Sequence, residues 1–366
     1  MSEIKKIAVM TGGGDCPGLN PVIRAVTKTA IMKYGLKVVG IKHGYRGLYL
    51  GGDEFIDLDT QSVDEIISKG GTILYSSNKD NLFDYTYEDE NGNVCHGDVS
   101  DIGIKNLKDN GIDALVVIGG DGTLTSGRDF SRKGVKIVGI PKTIDNDLAA
   151  TDTTFGFDTA VSNAVDAIDK LKTTAESHGR IIVVEAMGRY AGFLALSMGV
   201  AGAADAILIP EIEYDINKVA EKIKSNFANG KNYSIVVVAE GANPKDGEII
   251  VSRVVKDSPD PIRLGGIANV IAEQLENLVG NEARATILGH VQRGGSPTAN
   301  DRILSTRYGS YAVELLMEGK FGNMVILDGN NMSYESLENV IGSNKAVDPN
   351  GELVTIAEAI GVTFGR

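Results

Sequence analysis

Cysteine is nearly absent, with Cys16 and Cys95 the two thiols in 366 residues. Two thiols cannot form a disulfide framework, so both are expected to stay reduced in a cytosolic setting. Cys16 reads as a small packing residue of a glycine-rich loop, ahead of any reactive role. Long apolar runs are missing too. Nothing approaches the ~20 residues of a membrane-spanning helix. The opening MSEIKKIAVMTGGGD has only a short apolar run, too brief for the apolar core of a signal peptide. A soluble, cytoplasmic protein with no membrane partner is expected. Basic residues are in deficit, 36 Lys and Arg against 49 Asp and Glu, for a formal charge of −13. Duplex-binding proteins carry a basic face, so nucleic acid is not an expected partner. Against this acidic background, a basic cluster would act as a local trap for an anion. Low-complexity tracts and fixed-period repeats are also missing.

What is present is glycine, 45 residues of it, gathered in short loops such as Gly12-Gly13-Gly14, Gly119-Gly120 and Gly294-Gly295. The length allows a sizeable core and suggests two domains. Short apolar, β-branched runs predict strands at Lys6–Met10, Lys37–Ile41, Ala114–Ile118, Lys136–Ile140, Arg180–Glu185, Ala206–Ile209, Ser234–Ala239, Ala285–Leu288 and Met324–Leu327. Helical stretches lie between them. In Asp158–Lys172 the residues Val161, Val165, Ile168 and Leu171 mark one helix face. Leu304–Met317 and Ile262–Leu278 look similar. This alternation predicts an α/β fold with doubly wound, largely parallel sheets. Asn78–Ser100 reads as a surface excursion with a hairpin at Asn91-Gly92, and Asn243–Pro261 as a second irregular stretch.

Ligands of such sheets bind outside the carboxyl ends of the strands, and the chemically suggestive residues fall there. The first strand runs into Thr11-Gly12-Gly13-Gly14-Asp15, whose bare amides suit phosphate. The alternative is a tight turn; neither the dinucleotide nor the Walker spacing is matched. Strand Ala114–Ile118 ends in Gly119-Gly120-Asp121-Gly122-Thr123. An acid between glycines at a strand tip suits a metal-bound triphosphate, the alternative being Asp121 as a helix cap. Lys136–Ile140 ends in Pro141-Lys142-Thr143-Ile144-Asp145-Asn146-Asp147. One of its carboxylates can accept a hydroxyl proton and the other can organise metal-bound water; the alternative is a solvated acidic turn. Arg180, Arg189, Arg284, His290 and Arg293 stand near later strand ends, as phosphate-binding groups do. Glu240 follows another strand and can accept hydrogen bonds from sugar hydroxyls.

The motifs TGGGDCPGLN, GGDGT, PKTIDND, MGRYAG and GHVQRGGSP, in this order, resemble the phosphofructokinase family from about Ile4 to Leu327. GGDGT alone is shared with NAD and lipid kinases; PKTIDND followed by MGR and GHxQRGG is specific. The resemblance implies two Rossmann-like subdomains with the active site in the cleft between them. The donor subdomain would be 1–150, with C-terminal residues packing back onto it. The fructose 6-phosphate subdomain would be 151–327, and 328–366 a C-terminal extension. The implied activity is ATP-dependent phosphorylation of D-fructose 6-phosphate to fructose 1,6-bisphosphate, with Mg²⁺. Gly13, Gly14, Gly120, Asp121, Gly122 and Thr123 would hold the donor, Asp121 serving the metal. Thr143, Ile144 and Asp145 would contact the sugar, Asp145 as base, with Asp147 assisting the metal. Met187, Gly188 and Arg189 would bind sugar and the transferring group. Glu240 would bind hydroxyls, and His290, Val291, Gln292 and Arg293 the 6-phosphate end. Arg180 and Arg284 would reach a neighbouring subunit's site, which makes a homodimer or homotetramer part of the mechanism.

Two positions bear on the donor. Gly122 leaves room for a nucleotide, where a bulkier acid resembles the pyrophosphate pattern. Lys142 resembles the pyrophosphate and mixed-substrate branches. Steric exclusion is the harder constraint, so ATP is expected and pyrophosphate is the alternative. The loop Gly71–Lys79 departs from the family: Asn78 stands at an expected arginine, with Lys79 as a substitute charge, and Tyr75 replaces a usual glycine. At the family's effector site Arg24 matches, but Lys28 and Thr60 replace arginines, which implies weak allostery. An NAD or lipid kinase and a non-catalytic sugar-phosphate-binding paralogue are the remaining alternatives.

Overall fold

A computed structural model describes residues 4–88, 92–245, 247, 251–254 and 262–366. Along the chain, β1 (Lys6–Thr11) leads to α1 (Leu19–Tyr34), β2 (Lys37–Ile41), α2 (Tyr45–Leu50) and β3 (Phe55–Leu58). Then come β4 (Tyr85–Glu88), β5 (Val94–Gly97), α3 (Ser100–Asp109), β6 (Ala114–Gly119), α4 (Asp121–Arg132), β7 (Ile137–Pro141) and α5 (Phe157–His178). The middle continues with β8 (Ile181–Ala186), α6 (Phe193–Ala201), β9 (Ala206–Leu208), α7 (Ile216–Ala228), β10 (Ser234–Ala239), β11 (Val251–Val254) and β12 (Ile262–Leu264). The last elements are α8 (Ile267–Val279), β13 (Ala283–Ile287), α9 (Ala299–Met317), β14 (Asn323–Asp328), β15 (Asn331–Ser336), α10 (Leu337–Val340) and α11 (Glu352–Ala359).

The chain divides into two compact units: Met1–Thr143, Leu148–Gly156 and Gly294–Asn344 form the first, and Ile144–Asp147, Phe157–Arg293 and Lys345–Arg366 the second. Residues 294–327, expected in the second subdomain, belong to the first unit. There α9 packs along α1, and β14 pairs with β7. Residues 345–366 belong to the second unit, where Val362 and Phe364 are buried and Thr363 bridges Ala206.

Unit 1 is a seven-stranded sheet in the order β15-β14-β7-β6-β1-β2-β3, parallel except for its two edge strands. Strand residues alternate between faces. Ala8, Met10, Leu115 and Val117 meet α2, α3 and α4 residues such as Leu48, Leu107 and Phe130. On the other side, α1 lies against β2 and α9 against β7.

Unit 2 has a four-stranded, wholly parallel sheet, β13-β8-β10-β9. Its alternation is complete. Ile182, Val184, Ile235 and Val237 pack with Ala164 and Ile168 of α5 and Met198 of α6. Ile181, Val183, Val236 and Val238 pack with Val219 and Ile223 of α7 and Ile271 and Leu275 of α8. Each such side chain taken from water contributes roughly 2 kcal/mol, which is why continuous apolar runs become central strands here.

Three local features differ from expectation. The helix expected from Ile262 starts at Ile267, because Gly265 and Gly266 take φ of 130° and 91° and break it. β4 and β5 pair antiparallel, while Asn91, at the expected hairpin turn, lies outside the described residues. In the second irregular stretch, residues 246, 248–250 and 255–261 lie outside them as well. Among the described residues no helix is long and apolar enough to cross a membrane.

Candidate active site

In unit 1, the adjacent parallel strands β1, β6 and β7 release the TGGG, GGDGT and PKTIDND loops from the same sheet end. Thr123 folds back over the strand tips. A Cβ on Gly119 would stand 2.3 Å from Thr123 Cβ, and one on Gly12 would stand 2.6 Å from Thr123 Cγ2. Only glycine fits at either place. Lys142, 4% exposed, reaches the same spot: a Cβ on Gly13 would be 3.3 Å from its Nζ. Gly13, Thr123 and Lys142 are thus brought together. Thr143 is half-buried, and its carbonyl accepts the Thr154 hydroxyl at 2.7 Å.

Asp121 opens α4 after the extended Gly120, which has no side chain with which to cap the helix. Asp121 Oδ1 accepts the N–H of Gly342 at 3.0 Å. The positive end of the helix dipole favours an anion here. Gly122 is exposed, a Cβ on it would meet nothing within 4 Å among the described residues, and its φ is not left-handed. Neither packing nor backbone conformation demands glycine at this position, so its smallness leaves space outside the protein.

The amides of TGGG are less bare than expected. Gly12 N–H donates to Ile118 O and Gly13 N–H to Ser77 O, each at 2.9 Å. The first bond continues the β1–β6 pairing, and the second comes from the Gly71–Lys79 loop, which packs on TGGG. Ser76 Oγ donates to Gly13 O at 2.5 Å, and Thr11 Oγ1 to Tyr75 O at 2.7 Å. Tyr75 is left-handed, φ 58°, and its ring stacks on His43 at 4.9 Å and 7°. Gly14, Asn78 and Lys79 are exposed.

In unit 2, β8 and β10 are paired in register, Ala186 opposite Ala239, so MGRYAG and Glu240 emerge at the same level. Arg189 is exposed with φ 51°, and its N–H donates to Glu240 Oε1 at 3.0 Å. Burial pushes the Glu240 carboxyl up from the usual range. The Asp145 and Glu185 carboxylates add to this, against a downward pull from the N–H groups of Arg189 and Gly188. Asp145, 6% exposed, therefore lies within electrostatic reach of Glu240. Asp147 is half-buried; Ile144 is wholly buried, so its side chain faces the core rather than a ligand.

The GHVQR turn separates its members. His290 and Val291 are exposed and Arg293 is half-buried. Gln292 is fully buried, and its Oε1 accepts Met187 N–H at 2.8 Å. It supports the Met187–Gly188–Arg189 loop instead of meeting a substrate as expected. Arg180 and Arg284 stand apart from Asp145 in the hydrogen-bond pattern. Both pair with Glu282 in their own chain, Arg180 Nε at 2.5 Å, and the Arg180 bond chiefly holds the Glu282 carboxyl below its usual range.

Some participants escaped the sequence reading. Glu185 accepts the N–H groups of Gly266 and Ala268, each at 2.9 Å, and so caps α8. An acid inside the apolar run IIVVEA was a usable signal. Glu282 and Glu211 gave none, being ordinary surface-type residues in sequence. Gly342 and Lys345 lie outside every motif.

The phosphofructokinase family model matches residues 6–316. The chain is 65% identical over 365 residues to ATP-dependent 6-phosphofructokinase 2 of Clostridium perfringens (strain 13 / Type A), covering 100% of this chain and 99% of the relative. It is 46% identical to a pyrophosphate–fructose 6-phosphate 1-phosphotransferase of Streptomyces coelicolor, over 98% of this chain and 100% of the relative. Among solved structures, phosphofructokinase from Saccharomyces cerevisiae superposes with a TM-score of 0.78 at 32% identity, over 92% of this chain. The match spans 45% of the yeast chain.

Proposed function

The chain belongs to the phosphofructokinase family, and from that we propose that it transfers the terminal phosphoryl group of ATP to the 1-hydroxyl of D-fructose 6-phosphate, a step of glycolysis. The observation that carries the reading is the acceptor group of unit 2, where the Arg189 N–H bonds to Glu240 and Asp145 lies within electrostatic reach of the same carboxyl. The open space at Gly122 supports a nucleotide donor, in line with the 65% identical relative.

Phosphoryl transfer is mostly positioning and charge neutralisation. Asp145 orients the 1-hydroxyl and takes its proton late. Arg189 and Lys142 balance charge on the moving group. Glu240 accepts sugar hydroxyls, and His290 and Arg293 hold the 6-phosphate. Gly14, Gly120, Gly122 and Thr123 flank the donor. Mg²⁺ typically binds through one or two carboxylates plus substrate phosphates. The half-buried Asp121 beside open space fits that habit, and among the described residues no cluster offers an all-protein cage. Asp121, assisted by Asp147, would hold the ion with the donor, and the bound ion supplies charge neutralisation. Arg180 and Arg284 serve a neighbouring subunit's site in a cytoplasmic homodimer or homotetramer.

A second reading, pyrophosphate as donor, is favoured by the Lys142 ammonium beside Gly13. Fructose 1,6-bisphosphate formation by the purified protein, with ATP against pyrophosphate, separates them. Faster turnover with ATP is expected; faster turnover with pyrophosphate reverses the donor. Loss of turnover in Asp145→Ser excludes a non-catalytic paralogue.

A further inference from the structure

Within unit 2, a segment outside every motif bonds to two of the reactive loops. The N–H of Lys345 donates to Asp147 O at 2.8 Å. Its Nζ donates to Asn146 Oδ1 at 3.3 Å and lies 5.5 Å from the centre of the Phe193 ring. Two residues on, Val347 N–H donates to Glu211 Oε1 at 2.8 Å. That same oxygen accepts the N–H of Gly192 at 2.9 Å, three residues after Arg189. Among the described residues Glu211 Oε2 is buried with no hydrogen-bond partner, so the carboxylate bonds to them through its other oxygen. Residues 345–347 are thereby tied to the Asp145–Asp147 loop at one end and, through Glu211, to the Arg189 loop at the other.

We propose that Lys345 and Glu211 are positioning residues for phosphoryl transfer, fixing the loops that carry Asp145 and Arg189. Both loops contain a non-glycine residue in the left-handed region, Asn146 at φ 54° and Arg189 at φ 51°. Such conformations persist only where the surroundings over-determine them. Lys345 supplies a main-chain and a side-chain bond to the first loop. Glu211 joins the second loop to the same segment through one shared acceptor. Neither residue touches the reacting atoms, so their effect falls on alignment, where a shift of ~1 Å costs on the order of 10²-fold in rate.

The inference rests on the phosphofructokinase reading. Its test compares wild type with Lys345→Met, Lys345→Arg, Glu211→Ala and Glu211→Gln. Met keeps the stem over Phe193 but loses the donor, and Gln keeps an acceptor oxygen. In the Met and Ala variants kcat should fall roughly 10- to 100-fold, with KM for fructose 6-phosphate and Tm nearly unchanged. Arg and Gln should recover most of the loss. Unchanged kcat, or a loss that tracks a falling Tm and is not recovered by Arg or Gln, overturns the proposal. Amide hydrogen exchange of peptides spanning 144–149 and 187–193 is read in parallel and should quicken in both disruptive variants. If wild type turns over with neither donor, the functional reading fails by itself. The exchange data then decide the proposal: quicker exchange sustains the brace, and unchanged protection overturns it.

Discussion

The main-chain N–H of Arg189 reaches Glu240 at 3.0 Å, and the carboxyl it meets is one whose ionisation the fold resists. Burial is the main cause, with Asp145 and Glu185 adding to it. A raised folded pKa means that the folded chain keeps a proton the unfolded chain has lost. Stability from this group is therefore present in acid and fades as pH rises from the ordinary glutamate range through the raised value. Glu240→Gln cannot ionise. Its Tm relative to wild type should be more favourable near about pH 8 than near about pH 4. Affinity for fructose 6-phosphate should fall roughly tenfold with the lost charge-assisted bonds. A Tm difference that does not change with pH would contradict the assignment.

Gly122 sits where neither packing nor backbone conformation asks for glycine. Because a Cβ there meets nothing within 4 Å among the described residues, Gly122→Asp should fold with an unchanged Tm. It should lose kcat/KM for ATP by on the order of 10²-fold, about 2.7 kcal/mol of transition-state stabilisation. Use of pyrophosphate should be spared. Parallel loss with both donors would show that the residue does not discriminate between them.

Tyr75 combines strain and stacking. Its left-handed backbone opposes a side chain by about 1 kcal/mol, and its ring on His43 returns roughly 0.5–1.5 kcal/mol. Tyr75→Ala keeps the strain and loses the stack. Tyr75→Gly loses both. Urea unfolding should rank wild type above Tyr75→Ala, with Tyr75→Gly more stable than Tyr75→Ala by up to about 1 kcal/mol. The reverse order would mean the loop relaxes out of this conformation.

Both Arg24 and Lys28 are already engaged by Asp64, Lys28 by its carboxylate and Arg24 by its main-chain carbonyl. Lys28 forms an ion pair with Asp64, and Arg24 Nε donates to Asp64 O at 3.3 Å. The Lys28 bond chiefly holds the Asp64 carboxyl below its usual range. An effector anion would have to displace this partner. Saturation by fructose 6-phosphate should be hyperbolic and indifferent to nucleoside diphosphate or phosphoenolpyruvate. A steep, effector-shifted curve would show that the anion site still works.

The central strands were legible because burial on both faces leaves an unbroken apolar run, as in SIVVVA of β10 or ALVVIG of β6. β15, NMSYES, was not, since an antiparallel edge strand half open to water carries no such run. β3, FIDL, is short and edge-placed for the same reason. In the candidate site, Asp121, Arg189 and Glu240 announced themselves by following strands into glycine-containing loops, and Asp145 by an acid-rich loop at a strand tip. Gln292 misled because a motif residue can serve by bracing a loop from the core. Lys345 and Glu211 were illegible because their bonds join separate segments, Lys345 to a loop nearly two hundred residues away and Glu211 to both Gly192 and Val347, which no local pattern encodes.

The chain passes from one unit to the other after Thr143, Asp147, Gly156, Arg293 and Asn344. On a ribosome this sets an order of events. β7 is made early, yet the strand that covers its open edge, β14, is not made until residue 323. Throughout synthesis of nearly all of unit 2, the nascent unit 1 presents an unpaired, apolar strand edge of the kind that invites intermolecular pairing. The first unit begun is thus completed only after most of the second has been made, and it is during translation, rather than in the finished enzyme, that aggregation and chaperone dependence should be greatest.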